Sequence, residues 1–268
     1  MSNEERVRVE VRADGVACVT LVRTDKSNAL DGAMFDALIA AGERLRNERG
    51  VRAVVLAGEG KGFCAGIDMQ VLADMKDGSI AGTRDLVART HGLSNRFQYA
   101  AWIWRELPMP VIAAVHGFAL GGGLELALGA DMRYATPDAR LSIMEVNWGL
   151  VPDMGGTVRF YDLMRDDVVR ELAFTGRVFP AAEALSYGLV TRVDADPHAL
   201  AWATAREIAE RSPDAVRALK RLFAGQSSRA AAAGLLAETV EQQALLGTPN
   251  QMETVFASRE GRAPVFIG

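Results

Sequence analysis

The chain has 268 residues, of which 49% are hydrophobic and 24% charged, so it can bury enough apolar surface to fold and is not a disordered chain. The net charge of −4 argues against a surface that binds nucleic acid broadly. The two cysteines, Cys18 and Cys64, cannot form a disulfide framework and favour a reducing compartment. The charged start, Met1–Glu10, has no apolar signal core, and no apolar run approaches the roughly 20 residues that span a membrane. We therefore expect a cytoplasmic protein with neither a nucleic-acid nor a membrane partner.

The beginning of the chain predicts a β-hairpin, a helix and a third strand. Arg6–Val11 alternates polar and apolar residues, and Val16–Leu21 follows the turn signal Asp14–Gly15. Val51–Leu56 is a dense run of apolar, mostly β-branched residues. Before it, Asn28 stands where it could cap a helix whose apolar residues recur at helical spacing. The order strand, helix, strand predicts a right-handed crossover between parallel strands.

The same alternation of strands and helices continues along the chain. A glycine-rich loop, Gly58–Gly66, precedes a sequence with helical periodicity from Asp68 to Ala100. A strand over Pro110–Val115 is followed by glycines and by a helix that starts near Gly122. Further short strands are expected at Asp131–Tyr134, Arg140–Ser142 and Leu189–Val193.

The last part of the chain is almost entirely helical. From Asp196 onward, apolar stripes such as Ala201, Ala205 and Ile208 recur at helical spacing. The fold class is therefore α/β, with an α/β domain over residues 1–195 and a helical region over residues 196–268.

The glycine loop Gly58–Gly62 does not match a nucleotide-binding motif. A Walker A loop requires Ser or Thr after Gly-Lys, where this chain has Gly62. A dinucleotide fingerprint requires a third glycine where Phe63 stands. Both interpretations fail on the residues that would make the contacts.

Metal and cysteine chemistry are also weakly supported. His91, His116 and His198 are scattered without ligand spacing, so we predict no metal site. Cys64 with His116 could form a nucleophile and base, but a cysteine between Phe63 and Ala65 is more typical of a small buried hydrophobe.

Two strand-to-helix turns are candidates for binding a developing negative charge. The glycines Gly121–Gly123 let a ligand approach the main chain, and the N–H groups that begin the next helix are unpaired. The turn Lys61–Met69 has the same design, because Gly66 permits an unusual backbone angle and the Ile67 N–H falls where a helix begins. Asp68 is first an N-terminal helix residue and only second a functional one. The two turns could converge on one oxygen and stabilise its charge.

Three acids are candidates for proton transfer. Glu125 lies one helical turn after Gly122, although a surface glutamate beside a tight packing turn fits that segment equally well. Glu145 lies in an apolar stretch, so it is either exposed on a turn or held in a dry pocket with a raised pKa. Asp153 follows Pro152, and its chemistry alone favours a turn residue.

Taken in order, these motifs resemble those of the crotonase superfamily, which contains enoyl-CoA hydratases and isomerases. The resemblance runs from about Val7 to the C-terminus, and Glu145 matches the position of the family's second catalytic carboxylate. The segments that carry it are Phe63–Met69, Pro110–Glu125, Ala130–Ala135, Glu171–Arg177 and Ala182–Val193.

The resemblance implies a spiral of repeated ββα units whose C-terminal helices assemble the protein into homotrimers or homohexamers. It implies an oxyanion hole formed by the N–H groups of Ile67 and Gly122, which would hold the thioester oxygen of an acyl-CoA substrate. Coenzyme A enters as part of that substrate, so no separate cofactor is expected. The residues that align with coenzyme A contacts are Lys26, Ser27, Ala65, Gly66 and Asp68.

The resemblance also suggests which reaction to expect. Hydratases keep the pair Glu125 and Glu145, which would add water to a 2-enoyl-CoA, with Glu125 deprotonating the water and Glu145 delivering the proton to Cα. Δ3,5-Δ2,4-Dienoyl-CoA isomerases use a glutamate and an aspartate at the spacing of Glu145 and Asp153, but tend to carry aspartate at position 125. We favour the hydratase because of Glu125, and keep as alternatives the isomerase and a non-catalytic protein that binds acyl-CoA or another partner. Acyl-chain length would depend on the region Leu72–Trp104.

Overall fold

A computed structural model of the chain describes residues 5–75, 78–225 and 228–266. The strands are β1 (Val7–Val11), β2 (Val16–Leu21), β3 (Ala53–Gly58), β4 (Val111–Val115), β5 (Phe118–Leu120), β6 (Met132–Ala135), β7 (Arg140–Ser142), β8 (Phe179–Pro180) and β9 (Arg192–Val193). The helices are α1 (Gly32–Asn47), α2 (Met69–Asp74), α3 (Arg96–Glu106), α4 (Gly122–Leu128), α5 (Gly156–Leu163), α6 (Asp166–Thr175), α7 (Ala181–Ser186), α8 (Pro197–Ala209), α9 (Pro213–Gly225), α10 (Ser228–Leu245) and α11 (Pro249–Glu260). Single 3₁₀ turns lie at Thr24–Lys26 and Glu145–Trp148.

Six strands form the central sheet, in the order β1-β2-β3-β4-β6-β9. The predicted hairpin is confirmed, because β1 and β2 are antiparallel and pair Val9 with Val19. The predicted parallel pair is confirmed as well, since β2 and β3 run parallel with α1 between them. The strands β2, β3 and β4 are buried on both faces, which explains why they appear in the sequence as nearly continuous apolar runs.

A second layer of short strands gives the fold its spiral form. The strands β5, β7 and β8 form a small sheet, and isolated parallel bridges join Cys64 to Ala119 and Leu30 to Ile67. Each pass of the chain therefore adds one strand to the central sheet and then one short segment to the second layer, as β4 is followed by β5 and β6 by β7. The expected spiral of ββα units is confirmed.

Helix α1 begins at a different residue from the one predicted. Its N-cap is Asp31, whose carboxylate accepts a hydrogen bond from Met34 N at 2.7 Å. The prediction that Asn28 caps this helix is wrong. Asn28 instead lies in a left-handed turn with φ of 57°, and its Nδ2 donates to the carbonyls of Glu59, Gly62 and Phe63. It therefore fixes the glycine-rich loop against the preceding turn.

The predicted long helix from Asp68 to Ala100 is also wrong. Helix α2 spans only Met69–Asp74, and α3 begins at Arg96 after a capping box formed by Asn95 and Gln98. Residues 76–77 of that prediction lie outside the described residues. The segment after them bends at three glycines with positive φ, which stop a helix despite the apolar spacing: Gly78, Gly82 and Gly92.

The helical C-terminal region packs on both the sheet and the second half of the fold. Ala201 and Ala205 of α8 join a buried cluster with Val16, Ile112 and Tyr134 of the central sheet. Helix α10 packs on α5. The boundary between residues 1–195 and 196–268 thus stays a prediction. None of the described helices is both long and apolar enough to cross a membrane.

Candidate active site

A cavity of about 490 Å³ opens where the second layer meets the starts of α2 and α4. All ten residues selected from the sequence line this cavity: Lys26, Ser27, Ala65, Gly66, Ile67, Asp68, Gly122, Glu125, Glu145 and Asp153. Much of the remaining wall is apolar, and it includes Met75, Ile80 and Phe97 from the region expected to set its depth, together with Phe35, Trp148 and Leu150.

Two main-chain amides meet at the cavity. Leu30 pairs with the carbonyl of Gly66 and the amide of Asp68, which leaves the Ile67 N–H between them without a backbone partner in the described chain. Gly122 is the first residue of α4, where a helical N–H has no partner within the helix. A Cβ built on Gly66 would lie 2.6 Å from Leu120 O and 3.7 Å from Gly122 N. The two turns are therefore in contact, as a shared oxyanion site requires.

Glu125 is a buried acid and not a surface glutamate. It is 2% exposed, and its Oε2 accepts hydrogen bonds from Met154 N at 2.9 Å and Gly156 N at 2.7 Å. Burial, followed by the nearby charge of Glu145, raises its pKa well above the usual value. The alternative of a surface residue beside a packing turn is thus wrong.

Glu145 begins the 3₁₀ turn Glu145–Trp148 and faces the cavity beside the glycine turn. A Cβ built on Gly121 would lie 3.1 Å from Glu145 Oε1, so the positive φ of 51° at Gly121 and its missing side chain leave room for this carboxylate. Both Glu145 oxygens are buried and pair with no cation among the described residues, and the Glu125 carboxyl group lies beside them. Burial raises the pKa of Glu145 to about 7.

Asp153 is the third acid on the cavity wall. It is 7% exposed, and its Oδ2 is buried and has no partner among the described residues. Burial raises its pKa well above the usual value, and the charges of Glu238 and Glu145 add to the rise. Asp153 does lie in an irregular segment, between the 3₁₀ turn and α5, but it is buried there against the cavity.

A fourth acid, Glu238, reaches this region from α10 and was missed from the sequence. It is 4% exposed and binds the segment between Asp153 and α5, through Gly155 N and Thr157 N. One sequence signal could have revealed it, because Glu238 and Gln242 interrupt the apolar stripe from Leu235 to Leu246. A polar residue on the buried stripe of a helix needs a buried partner.

Comparison with known proteins agrees with this geometry. Residues 11–268 match the sequence model of a family described as enoyl-CoA hydratase/isomerase. The chain belongs to the enoyl-CoA hydratase/isomerase family. It is 37% identical over 226 residues to the mitochondrial Δ(3,5)-Δ(2,4)-dienoyl-CoA isomerase of Rattus norvegicus, covering 81% of this chain and 68% of that protein. It is 35% identical over 261 residues to the mitochondrial enoyl-CoA hydratase domain-containing protein 2 of Mus musculus, covering 95% and 85% of the two chains.

A solved structure shares the whole fold. The crystal structure of enoyl-CoA hydratase/isomerase from Pseudoalteromonas atlantica T6c superposes with a TM-score of 0.85 at 31% identity, covering 98% of this chain and 100% of that one. The resemblance to the crotonase superfamily that the sequence motifs suggested is therefore confirmed.

The residues that the sequence suggested for contacts with coenzyme A all line the cavity. Ala65 N donates to Ser27 O, which holds the two segments together, and Lys26 is exposed beside them. Asp68 caps α2 through Gln70 N and accepts from Arg23 Nη1 at 2.6 Å. Burial opposes the ionisation of Asp68, but these bonds outweigh it and lower its pKa. Asp68 is thus a paired structural anion, and Lys26 carries the exposed positive charge.

Cys64 is not an activated nucleophile. It is fully buried, its Sγ donates to Asn28 O at 3.1 Å, and burial raises its pKa to about 12. The His116 ring instead bonds Gly60 O. The interpretation of Cys64 as a small buried hydrophobe is confirmed.

Proposed function

We propose that this protein is an enzyme that isomerises 3,5-dienoyl-CoA thioesters to 2,4-dienoyl-CoA thioesters. The observation that carries the proposal is Asp153, a buried carboxyl group on the same cavity wall as Glu145, whose Oδ2 has no hydrogen-bond partner among the described residues. Hydration of a double bond has no evident use for a third buried acid at this position. The similarity to a dienoyl-CoA isomerase supports the same choice.

The proposed reaction moves one proton along the acyl chain. Glu145 removes a proton from C2, and the electron pair delocalises onto the thioester oxygen, where the N–H groups of Ile67 and Gly122 stabilise the charge. Asp153 then donates a proton to C6 as the double bonds shift to C2 and C4, so atoms and charge balance. A carboxyl with a pKa near 7 can remove a proton at neutral pH, whereas one with a strongly raised pKa holds the proton it must deliver. No electrons are transferred, so we propose that no cofactor beyond the coenzyme A of the substrate takes part.

Hydration of a 2-enoyl-CoA is the second candidate, because Glu125 and Glu145 both line the cavity. The pair could hold one water between them and manage its proton. Burial raises the pKa values of both carboxyl groups, and because the two groups interact, they titrate as a pair and share the proton of the water.

The two reactions can be separated by offering 3,5-dienoyl-CoA and 2-enoyl-CoA to the wild type and three variants. We expect turnover of the diene, a loss of about 100-fold or more in Asp153→Asn and Glu145→Gln, and no loss in the exposed control Asp138→Asn. Turnover of the 2-enoyl-CoA alone, with Asp153→Asn fully active, would establish the hydratase. Binding of acyl-CoA without turnover of either substrate would identify a non-catalytic member.

We also propose that the protein assembles into a homotrimer or homohexamer through its C-terminal helices. Helix α9 supports this, because Leu219, Leu222 and Phe223 are 50%, 62% and 71% exposed in the single chain. Sedimentation of the purified protein tests the proposal, and a monomer would contradict it. A cytoplasmic location remains our proposal, supported by the two free thiols Cys18 and Cys64.

A further inference from the structure

Helix α10 supplies a buried carboxylate, Glu238, that accepts four hydrogen bonds. Glu238 Oε2 accepts from Gly155 N at 2.9 Å and from Gln98 Nε2 at 3.2 Å. Its Oε1 accepts from Thr157 N at 2.8 Å and from the Thr157 hydroxyl. Burial raises the pKa of Glu238, and the four donors that occupy its two oxygens oppose this rise, because a proton on Glu238 would have to displace one of them. Among the described residues that line the cavity, Glu238 does not appear, which places it behind the wall.

The segment bound by Glu238 directly follows Asp153, the proposed proton donor, and it also binds Glu125. Four successive amides alternate between two carboxylates: those of Met154 and Gly156 donate to Glu125, and those of Gly155 and Thr157 donate to Glu238. Asp153 is the residue immediately before this run. Displacing Glu238 would therefore move Asp153 and both donors to Glu125 together.

Residues outside segment 154–157 also orient one of the donors to Glu238, the amide of Gln98. Gln98 Oε1 accepts from Arg89 Nη1 at 2.9 Å and from Asn95 N at 3.1 Å. Its Nε2 must therefore face the opposite side, where it donates to Glu238 and to Leu235 O. Arg89 therefore bonds to the neutral amide of Gln98, and this amide in turn bonds to Glu238. The four donors to the Glu238 carboxylate include no cation.

We infer that Glu238 is a positioning residue for the proton transfers, holding the segment 154–157 so that Asp153 and Glu125 face the substrate and supplying a fixed negative charge behind them. The inference rests on the proposed function, in which Asp153 donates the proton to the acyl-CoA substrate. The titratable groups that face Glu238 are Glu125 from α4, Glu145 from the 3₁₀ turn, Asp153, and Arg89 from the segment before α3. After burial, the charge of Glu238 helps to raise the pKa values of Glu125 and Asp153.

The test compares Glu238→Gln with Glu241→Gln, which removes the same charge from an exposed position of α10. In Glu238→Gln the new NH₂ group faces donors that it cannot accept from, so segment 154–157 should shift. We therefore expect kcat to fall by about 10- to 100-fold while the KM for the acyl-CoA changes little. Removing the negative charge lowers the pKa of the neighbouring acids, so the acid limb of the pH–rate profile should move to lower pH. Glu241→Gln should match the wild type in all three measurements. Glu238→Asp, which keeps the charge but not the reach, should recover the profile and not the rate.

A second readout does not depend on turnover. Carbon-13 NMR of labelled carboxyl groups should show buried acids titrating at lower pH in Glu238→Gln than in the wild type and in Glu241→Gln. If the wild type acts on neither substrate, the proposed function fails, and this titration still decides whether Glu238 supplies the fixed charge.

The inference is overturned if Glu238→Gln keeps the wild-type kcat, or if it loses activity with an unchanged pH profile and unchanged carboxyl titration, as a purely structural residue would. Should that variant fail to fold, Thr157→Val removes only the hydroxyl donor to Oε1. We then expect a several-fold loss of kcat, and full activity would equally overturn the inference.

Discussion

Gly66 is the position where the contact between the two amide-bearing turns can be tested most directly. Its φ is +86°, and an added Cβ would lie 2.6 Å from Leu120 O, two residues before Gly122. An ordinary contact begins at 3.4 Å, so Gly66→Ala must push the turns apart by about 0.8 Å. Because the next residue carries the Ile67 N–H, this displacement changes the distance between the two proposed oxyanion donors.

The matched control is Gly82→Ala. Gly82 has nearly the same φ, +80°, but nothing lies within 4 Å of its added Cβ. It therefore isolates backbone strain, which costs about 1–2 kcal/mol of unfolding free energy. Gly66→Ala adds overpacking of about 1–3 kcal/mol to the same strain.

We expect Gly66→Ala to lower kcat/KM by about 10- to 100-fold, because misplacing or losing one oxyanion donor has effects of this size or larger. Gly82→Ala should keep its activity and lose less thermal stability. The assay is the initial rate on 3,5-dienoyl-CoA and 2-enoyl-CoA, with thermal unfolding followed in parallel. If Gly66→Ala keeps the kcat/KM of Gly82→Ala on the substrate that is turned over, the two turns do not form a shared oxyanion site.

Three further predictions follow from buried polar groups. If Glu145 is the base, kcat/KM should fall as pH drops below about 7, and a flat profile across that range would contradict the assignment. Because the pKa of Glu145 is raised in the folded chain, the folded chain binds more protons than the unfolded chain below about pH 7. The stability that this group contributes is therefore lost as pH rises through about 7. Glu145→Gln should flatten that part of the curve of melting temperature against pH. Asn28→Ala leaves three carbonyls without their Nδ2 donor and should lower the unfolding free energy by about 2–4 kcal/mol in denaturant titration, whereas the exposed control Asn47→Ala should cost less than about 1 kcal/mol.

The parts of the fold that the sequence predicts correctly are those set by neighbours in the chain. The buried strand runs, the start of α4 near Gly122 and the strand at Arg140–Ser142 all depend on apolar patterning and glycines within a few residues. The candidate site could be predicted in the same way, since its amides lie at two such turns, Glu125 lies one helical turn after the second of them, and Glu145 and Asp153 lie on the segment between β7 and α5.

The parts that were missed depend on residues far apart in the chain. Apolar spacing across Asp68–Ala100 suggested one helix, but the packing of that segment uses bends at glycines and a contact with α10, where Leu86 N donates to Gln243. Glu238 lies 83 residues from Gly155, which it binds. A helical periodicity shows that Glu238 interrupts an apolar stripe, but it does not show which distant amides the carboxylate meets.

The acids around the cavity differ in what surrounds them, and this difference separates structural acids from those that can exchange a proton. Asp68 accepts from Arg23 and from a helical N–H, which lower its pKa, so it stays ionised and stabilises the turn. Glu145 pairs with no cation among the described residues, and burial raises its pKa to about 7. A cation beside Glu145 would stabilise its charged form and remove its ability to take up a proton at neutral pH. The proposed proton transfer by Glu145 therefore depends on the absence of a neighbouring cation. The proposed oxyanion site depends instead on main-chain amides, which do not titrate.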